Sequence, residues 1–172
     1  MQPVRIVYNQ EDYEELYGKT DYTNKTVLDI GADWGSTADY FLRKGALQVI
    51  AVDNTPEYIE KMKGYIKQFD LAIIPLLQDN HEPESWSQLL ETYKPDIVKS
   101  DCEGCEIGLL GVPNTIFRIP KVYIIETHSK KVVTLHQSIL LKLKENGYEI
   151  VDINPWARES GTIITAKRID EK

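Results

Sequence analysis

The chain has 172 residues, of which 42% are hydrophobic and 27% charged, and its net charge is −7. These values are typical of a soluble globular protein, and we expect one domain over 1–172, with an N-terminal extension at 1–24 and a core at 25–168. The acidic balance, without a run of Lys or Arg, predicts no nucleic-acid partner. With strand-sized apolar runs and no signal peptide over residues 1–10, we also expect no membrane association and a cytoplasmic location. No pattern in the sequence defines an oligomeric state.

Short apolar runs alternate with amphipathic stretches along the chain. The apolar runs predict strands near 26–30, 48–53, 71–77, 96–100, 121–126, 148–153 and 161–167. The amphipathic stretches predict helices near 10–18, 36–44, 56–69, 84–93, 104–110 and 134–146. Such alternation is typical of an α/β fold with a mostly parallel sheet. The last two strands are joined by a loop at 154–160 without a helix, which favours an antiparallel pair.

The first predicted strand ends in Asp29 and runs into a turn that holds Gly31 and Gly35. Glycines let a backbone turn tightly and come close to a ligand. The G-x-x-x-G spacing differs from the G-x-G-x-x-G of a dinucleotide-binding turn. S-adenosylmethionine carries no phosphate and ends in an amino acid, so a carboxylate such as that of Asp29 is tolerable there. The turn therefore favours an S-adenosylmethionine site over a dinucleotide site.

The second and third predicted strands also end in polar residues. Asp53 lies about 20 residues past the first glycine. In such folds the residue at this position binds the ribose hydroxyls, and a carboxylate can accept a hydrogen bond from each of the two. Its alternative role is a helix N-cap, although Thr55 followed by Pro56 is a better cap. After the third strand, Gln78 or Asp79 is predicted to accept from the exocyclic amine of adenine. For Asp79, capping its own loop is an equal alternative.

Two later strand ends carry acids around a glycine or a histidine. Residues 96–106 read Asp-Ile-Val-Lys-Ser-Asp-Cys-Glu-Gly-Cys-Glu, and residues 122–128 read Val-Tyr-Ile-Ile-Glu-Thr-His. Because ligands of open α/β sheets bind beyond the carboxyl ends of the strands, these segments are candidates for a functional site.

Together with the first turn, these segments resemble the FkbM-type family of class I S-adenosylmethionine-dependent methyltransferases. The family's D-I-G-A-N-x-G, K-x-D-x-E-G-x-E and E-x-H motifs stand here at 29–35, 99–106 and 126–128, and the resemblance covers roughly 24–167. It implies a Rossmann-like seven-stranded sheet in the order 3-2-1-4-5-7-6, mostly parallel with one antiparallel strand and helices on both faces. In this sequence Asp33 replaces the usual Asn, and it would attract the ammonium of the methionine moiety but repel its carboxylate.

From the residues and the resemblance, the sequence predicts a methyltransferase that uses S-adenosyl-L-methionine and acts on the hydroxyl of a small-molecule acceptor. The predicted cofactor-binding residues are Asp29, Gly31, Ala32, Asp33, Trp34, Gly35, Asp53, Asn54, Gln78, Asp79 and Asp101. The predicted catalytic residues are Asp101, Glu126 and His128, with His128 as the general base because of its ordinary pKa. Asp101 or Glu103 could replace it if burial raised the pKa of the carboxyl. No metal is expected, although carboxylates with one imidazole could bind Mg or Mn.

Three alternatives stay open. An NAD-dependent oxidoreductase would share the first strand–turn–helix and Asp53, and a non-catalytic binding or interaction protein could keep the fold without the chemistry. The pair Cys102 and Cys105 is interpreted as two small residues in a tight turn, with a redox pair, half of a zinc site or a labile disulfide as the alternatives.

Overall fold

The computed structural model describes residues 6, 13–128, 134–156 and 161–169. Seven strands form one sheet in the order β3-β2-β1-β4-β5-β7-β6, which confirms the predicted fold class and the strand order that the resemblance implies. The strands are β1 (Thr26–Ile30), β2 (Gln48–Asp53), β3 (Ile73–Leu77), β4 (Ile97–Ser100), β5 (Val122–His128), β6 (Tyr148–Trp156) and β7 (Gly161–Arg168). The helices are α1 (Tyr13–Tyr17), α2 (Ser36–Arg43), α3 (Pro56–Phe69), α4 (Pro83–Tyr93), α5 (Glu106–Gly111), α6 (Asn114–Phe117) and α7 (Leu135–Glu145). Among the described residues, no helix combines the length and apolar character that crossing a membrane requires.

The backbone contacts divide the chain into two compact units, residues 1–78 and 79–172. They are called the first unit and the second unit below. The single domain predicted from the sequence stays a prediction.

The first unit contains three parallel strands, with β1 and β3 on either side of β2. β1 and β2 are buried almost throughout, as expected where helices cover a parallel sheet, whereas the edge strand β3 is partly exposed. Aromatic rings pack around α2, with Phe41 stacked on Tyr22 at 4.9 Å between ring centroids. The Tyr22 hydroxyl donates to the carbonyl oxygen of Tyr17 at 2.9 Å. This core packs against the last turn of α2, the helix that follows the turn after β1.

The second unit pairs β4 with β5 in parallel and β5 with β7 and β7 with β6 in antiparallel. The register of β4 and β5 sets Ser100 opposite Ile125. The residue after β4, Asp101, is therefore brought to the level of Glu126 near the end of β5.

The predicted elements differ from the observed ones mainly at their ends. β5 extends through His128, which was expected just after the strand, and β6 extends to Trp156, where a loop was predicted. Pairing with β7 causes this extension, since Trp156 lies opposite Gly161. The rest of the predicted loop, 157–160, and residues 10–12 of the predicted first helix lie outside the described residues. The short helix α6 was not predicted, because four residues are too few to show a helical period.

Candidate cofactor turn and acidic cluster

The turn between β1 and α2 has three residues with left-handed backbone: Gly31 at φ 73°, Asp33 at φ 46° and Gly35 at φ 97°. The N–H groups of Gly31 and Ala32 donate to the carbonyl oxygen of Val52 at 2.9 and 3.1 Å, which ties the turn to β2. A Cβ at Gly35 would lie 3.0 Å from Met62 Cγ, so conformation and space both favour glycine there. The predicted glycine turn is therefore present, with the backbone geometry that its spacing suggested.

The side chains around this turn are held by their neighbours. Asp29 is fully buried, and its Oδ2 accepts a 2.6 Å hydrogen bond from the hydroxyl of Thr37 in α2. Trp34 lies under the ammonium of Lys61, with Nζ 3.4 Å from the ring centroid, and its ring meets that of Tyr58 edge to face. Asp29 thus links the end of β1 to α2. Cofactor contacts by Asp29, Ala32 and Trp34 stay predictions.

Asp53, at the end of β2, has both carboxylate oxygens engaged by backbone. Oδ2 accepts from the N–H of Asp33 at 3.0 Å, and Oδ1 accepts from the N–H of Thr55 at 2.9 Å. A carboxylate has about four acceptor positions, so two are left for further donors such as ribose hydroxyls. Thr55 is the N-cap of α3 and Pro56 its first residue, so Asp53 itself is not the helix cap.

The polar residues after β2 and β3 have different surroundings. Asn54 is exposed, and the backbone N–H of Gln78 donates to the carbonyl oxygen of Asp53 at 3.0 Å. Asp79 is exposed, and its Oδ1 accepts from the N–H of His81 at 2.9 Å and lies 2.5 Å from the ring Nδ1 of the same residue. These bonds to His81 hold the pKa of the Asp79 carboxyl below its ordinary value. This geometry favours the loop-capping alternative for Asp79, and the adenine contact of Gln78 stays a prediction.

In the second unit, Asp101, Glu126 and His128 come together in one cluster, which we call the acidic cluster and to which Glu103 also belongs. One ligand atom from each of the first three lies within 4.8 Å of the others. The Nε2 atom of His128 is 3.7 Å from Asp101 Oδ1, 3.4 Å from Glu103 Oε1 and 3.7 Å from Glu126 Oε1. Glu126 and His128 share a face of β5 because side chains alternate along a strand. The predicted convergence of the three catalytic candidates is therefore found within this unit.

The acidic cluster has a buried side and an open side. The side chains of His128 and Glu126 are 6% and 8% exposed, whereas those of Asp101 and Glu103 are 32% and 57% exposed. Any Cβ at Gly161, on β7, would collide with the carboxylate of Glu126, so this glycine makes the room that Glu126 occupies. Both ring nitrogens of His128 are buried, and neither has a hydrogen-bond partner within the described part of the chain.

The loop that carries Asp101 and Glu103 is shaped by the next acid, Glu106. Its Oε1 accepts from the N–H of Cys102 and its Oε2 from the N–H of Gly104, both at 3.0 Å. Burial raises the pKa of the Glu106 carboxyl. The N–H hydrogen bonds and the nearby His128 act in the opposite direction, because they favour the charged carboxylate. Cys102 and Cys105 form a disulfide in this loop, so their interpretation as two reduced packing residues is wrong and the disulfide alternative holds.

Some residues of interest carry no signal in the sequence. Asn80 is 3% exposed, and no described residue hydrogen-bonds its side-chain amide. Gly161 and Thr37 act only through contacts across the fold, with Glu126 and Asp29 respectively. The contact of Gly161 depends on the pairing of β7 with β5, and no local motif in the sequence indicates any of these features.

The family described as Methyltransferase FkbM domain matches residues 7–150. This match confirms the resemblance that the three motifs suggested. A curated relative, uncharacterized protein 65 of Sulfolobus islandicus filamentous virus (isolate Iceland/Hveragerdi), is 33% identical over 95 residues. That alignment covers 55% of this chain and 56% of the relative, so the chain matches little more than half the length of this viral protein.

Solved structures share the fold at low identity. TrmK of M. capricolum, in complex with S-adenosyl-homocysteine, aligns with a TM-score of 0.68 and 15% identity, over 92% of this chain and 68% of that one. The fibrillarin pre-rRNA processing protein of Methanococcus jannaschii aligns with a TM-score of 0.64 and 16% identity, over 87% and 69%. Fibrillarin in a complex with Nop5p aligns with a TM-score of 0.63 and 23% identity, over 85% and 73%. These likenesses identify the fold as Rossmann-like class I.

These comparisons overturn the predicted partners, a small-molecule acceptor with no nucleic acid. Proteins with this fold include one named for pre-rRNA processing and one solved in complex with the protein Nop5p. The prediction was wrong because it treated a net charge of −7 as an exclusion. Net charge averages over the whole surface, whereas a partner contacts one patch of it.

Proposed function

Because this chain belongs to the FkbM methyltransferase family, we propose that it transfers a methyl group from S-adenosyl-L-methionine to a hydroxyl oxygen of its acceptor. The first unit would hold the cofactor, and the acidic cluster of the second unit would activate the acceptor. The observation that carries the proposal is the cluster itself, in which Asp101, Glu126 and His128 converge at the ends of two neighbouring strands.

The residues of the first unit fit the cofactor. Asp53 is oriented by two backbone N–H groups and keeps acceptor positions for the two ribose hydroxyls. Gly31 has left-handed backbone and no side chain, so a ligand can approach the turn closely at this residue. When bound, S-adenosylmethionine supplies a methyl group already activated by its sulfonium. Asp33 offers a carboxylate to the ammonium of the methionine moiety, at the cost of repelling its carboxylate.

The residues of the second unit provide what the acceptor needs. A hydroxyl must lose its proton as its oxygen bonds to the methyl carbon, while the carbon–sulfur bond breaks and its electron pair goes to sulfur. The protein contributes position and a route for the proton. The acidic cluster has a buried imidazole, that of His128, and an open side lined by Asp101 and Glu103 through which an acceptor can enter.

The proposal is tested by methyl transfer from labelled S-adenosylmethionine. Total RNA, a protein extract and a panel of small hydroxyl compounds are offered in parallel, and the products are digested to locate the methyl group. We expect label on an oxygen in one of these fractions with the wild type and strongly reduced label with His128→Ala. Label on nitrogen or carbon would contradict the hydroxyl acceptor.

Two further outcomes would contradict the proposal as a whole. If the protein binds S-adenosylhomocysteine but labels no fraction, the non-catalytic alternative is favoured. If calorimetry detects NADH binding and no S-adenosylhomocysteine binding, the oxidoreductase alternative is favoured.

A further inference from the structure

We propose that Asp101, Glu126 and His128 bind a divalent cation of the Mn²⁺ type, with Glu103 as an additional ligand at the open side. This site lies wholly within the second unit. It differs from the sequence-based prediction, in which no metal is present and His128 acts as a free general base.

The spacing of the atoms is the first argument. Nε2 of His128 lies 3.4 to 3.7 Å from oxygens of three carboxylates, which is longer than the usual hydrogen-bond distance. Ligand atoms bound at about 2.0–2.2 Å to one ion are separated by roughly 3.0–3.5 Å, whether the geometry is octahedral or tetrahedral. One ligand atom from each of Asp101, Glu126 and His128 lies within 4.8 Å of the other two, so these three groups surround a point that an ion can reach after small side-chain movements.

The second argument is that the buried ring of His128 lacks hydrogen bonds within the described part of the chain. This observation does not depend on the distances to the carboxylates. The His128 ring is 6% exposed, and neither nitrogen has a hydrogen-bond partner among the described residues. An unsatisfied buried polar group is costly and calls for a specific explanation, such as an ion. A cation at Nε2 satisfies this nitrogen and also relieves the mutual repulsion of the carboxylates.

The donor set selects the class of ion. Carboxylates suit Mg²⁺, Ca²⁺ and Mn²⁺, whereas imidazole suits transition metals, so one imidazole with two or three carboxylates favours Mn²⁺. The nearby cysteines add no thiolate ligand, because Cys102 and Cys105 are joined in a disulfide. Glu106 is engaged by the N–H groups of its own loop.

A cation here would change how the acceptor is activated, and this consequence rests on the proposed function. Held by Asp101, Glu126 and His128, the cation would act as a Lewis acid that favours loss of the acceptor's hydroxyl proton to solvent. His128 would be a ligand that positions the ion rather than the base itself.

The test is a titration of the chelator-treated full chain with MnCl₂, in which electron paramagnetic resonance reports free Mn²⁺. We expect one Mn²⁺ per chain and a dissociation constant at least about tenfold larger in Asp101→Asn and in His128→Gln. Asp101→Asn keeps the shape of a partly exposed side chain, and thermal melting would verify that both variants fold. The matched control is Glu91→Gln, which removes an exposed carboxylate on α4, outside the cluster, and should bind as the wild type does.

Absence of Mn²⁺ binding at millimolar concentration, or equal binding by Asp101→Asn and Glu91→Gln, would overturn the site. A parallel titration with S-adenosylhomocysteine in the presence of chelator separates this failure from that of the proposed function. Cofactor binding without Mn²⁺ binding would contradict the cation site but not the proposed function. Mn²⁺ binding without cofactor binding leaves the site in place and removes the proposed function.

Discussion

The turn that follows β1 and the acidic cluster hold their carboxylates in different ways. In the first unit, Asp53 is fixed by two backbone N–H groups and Asp29 by the hydroxyl of Thr37. In the second unit, Asp101 and Glu126 face a histidine whose two nitrogens lack hydrogen bonds within the described residues. The first arrangement is suited to holding a ligand in one orientation, because the acceptors are already positioned.

The second arrangement is suited to chemistry or to an ion. Buried polar groups are normally paired, so a buried imidazole without hydrogen bonds marks a place where the fold tolerates a cost. From this comparison we propose that the first unit binds the cofactor and that the acidic cluster activates the acceptor. Substitutions in the two units should change different measured quantities.

The largest effect is expected from His128→Ala. Removing the group that activates the acceptor should lower turnover by about 10²- to 10⁴-fold, while affinity for S-adenosylhomocysteine stays nearly unchanged. Steady-state turnover and calorimetry on the same preparation measure the two quantities. His136→Ala is the matched control, since His136 bonds to Thr127 and belongs to no part of the cluster. Equal turnover of His128→Ala and His136→Ala would show that the acidic cluster has a structural role rather than a catalytic one.

Asp53→Ala should have the next largest effect, on binding. It removes two charge-assisted hydrogen bonds to the ribose and should cost about 2–4 kcal/mol of cofactor affinity, or roughly 30- to 900-fold. Glu60→Ala, an exposed acid on α3, is the control. If calorimetry gives Asp53→Ala and Glu60→Ala the same cofactor affinity, Asp53 is not part of the cofactor site.

Replacing both Cys102 and Cys105 by Ser should act on stability rather than on cofactor binding. Closing so short a loop constrains the unfolded chain by about 2 kcal/mol, so the free energy of unfolding should fall by that amount. Denaturant unfolding of the variant is compared with that of the wild type with and without reductant. A wild type whose stability does not respond to reductant would argue against the disulfide.

Asp33→Asn should have the smallest effect and the opposite sign. Asn tolerates the left-handed backbone at this position as well as Asp does, and it removes the repulsion of the methionine carboxylate. Affinity for S-adenosylhomocysteine should rise by about two- to fivefold, and the gain should shrink at high salt. Weaker binding by Asp33→Asn would mean that attraction of the ammonium outweighs this repulsion.

The features that the sequence predicts correctly are local or follow from parallel strands. The glycine spacing predicted the left-handed turn at Gly35, and the apolar run placed Asp53 at the end of β2. The meeting of Asp101 with Glu126 was found because neighbouring parallel strands end at one edge. The sequence failed where distant pairing decides the structure. β6 continues through Trp156 because β7 pairs with it, and the space for Glu126 depends on Gly161 of β7.

The covalent state of the cysteines, the hydrogen bonding of buried groups and the charge of one surface patch were the hardest features to predict. The spacing of Cys102 and Cys105 is compatible with a disulfide or two thiols, and only the turn geometry distinguishes them. The lack of hydrogen bonds at His128 and Asn80 depends on every neighbouring segment. Net charge gave a wrong exclusion of nucleic-acid partners, because it carries no information about one patch of the surface.

The most direct test of the division between the two units is calorimetric titration of S-adenosylhomocysteine into wild type, Asp53→Ala and His128→Ala. The account predicts binding by the wild type, nearly equal affinity in His128→Ala and a loss of at least about 30-fold in Asp53→Ala. If neither the wild type nor Asp33→Asn binds S-adenosylhomocysteine at millimolar concentration, the assignment of the first unit to the cofactor is contradicted.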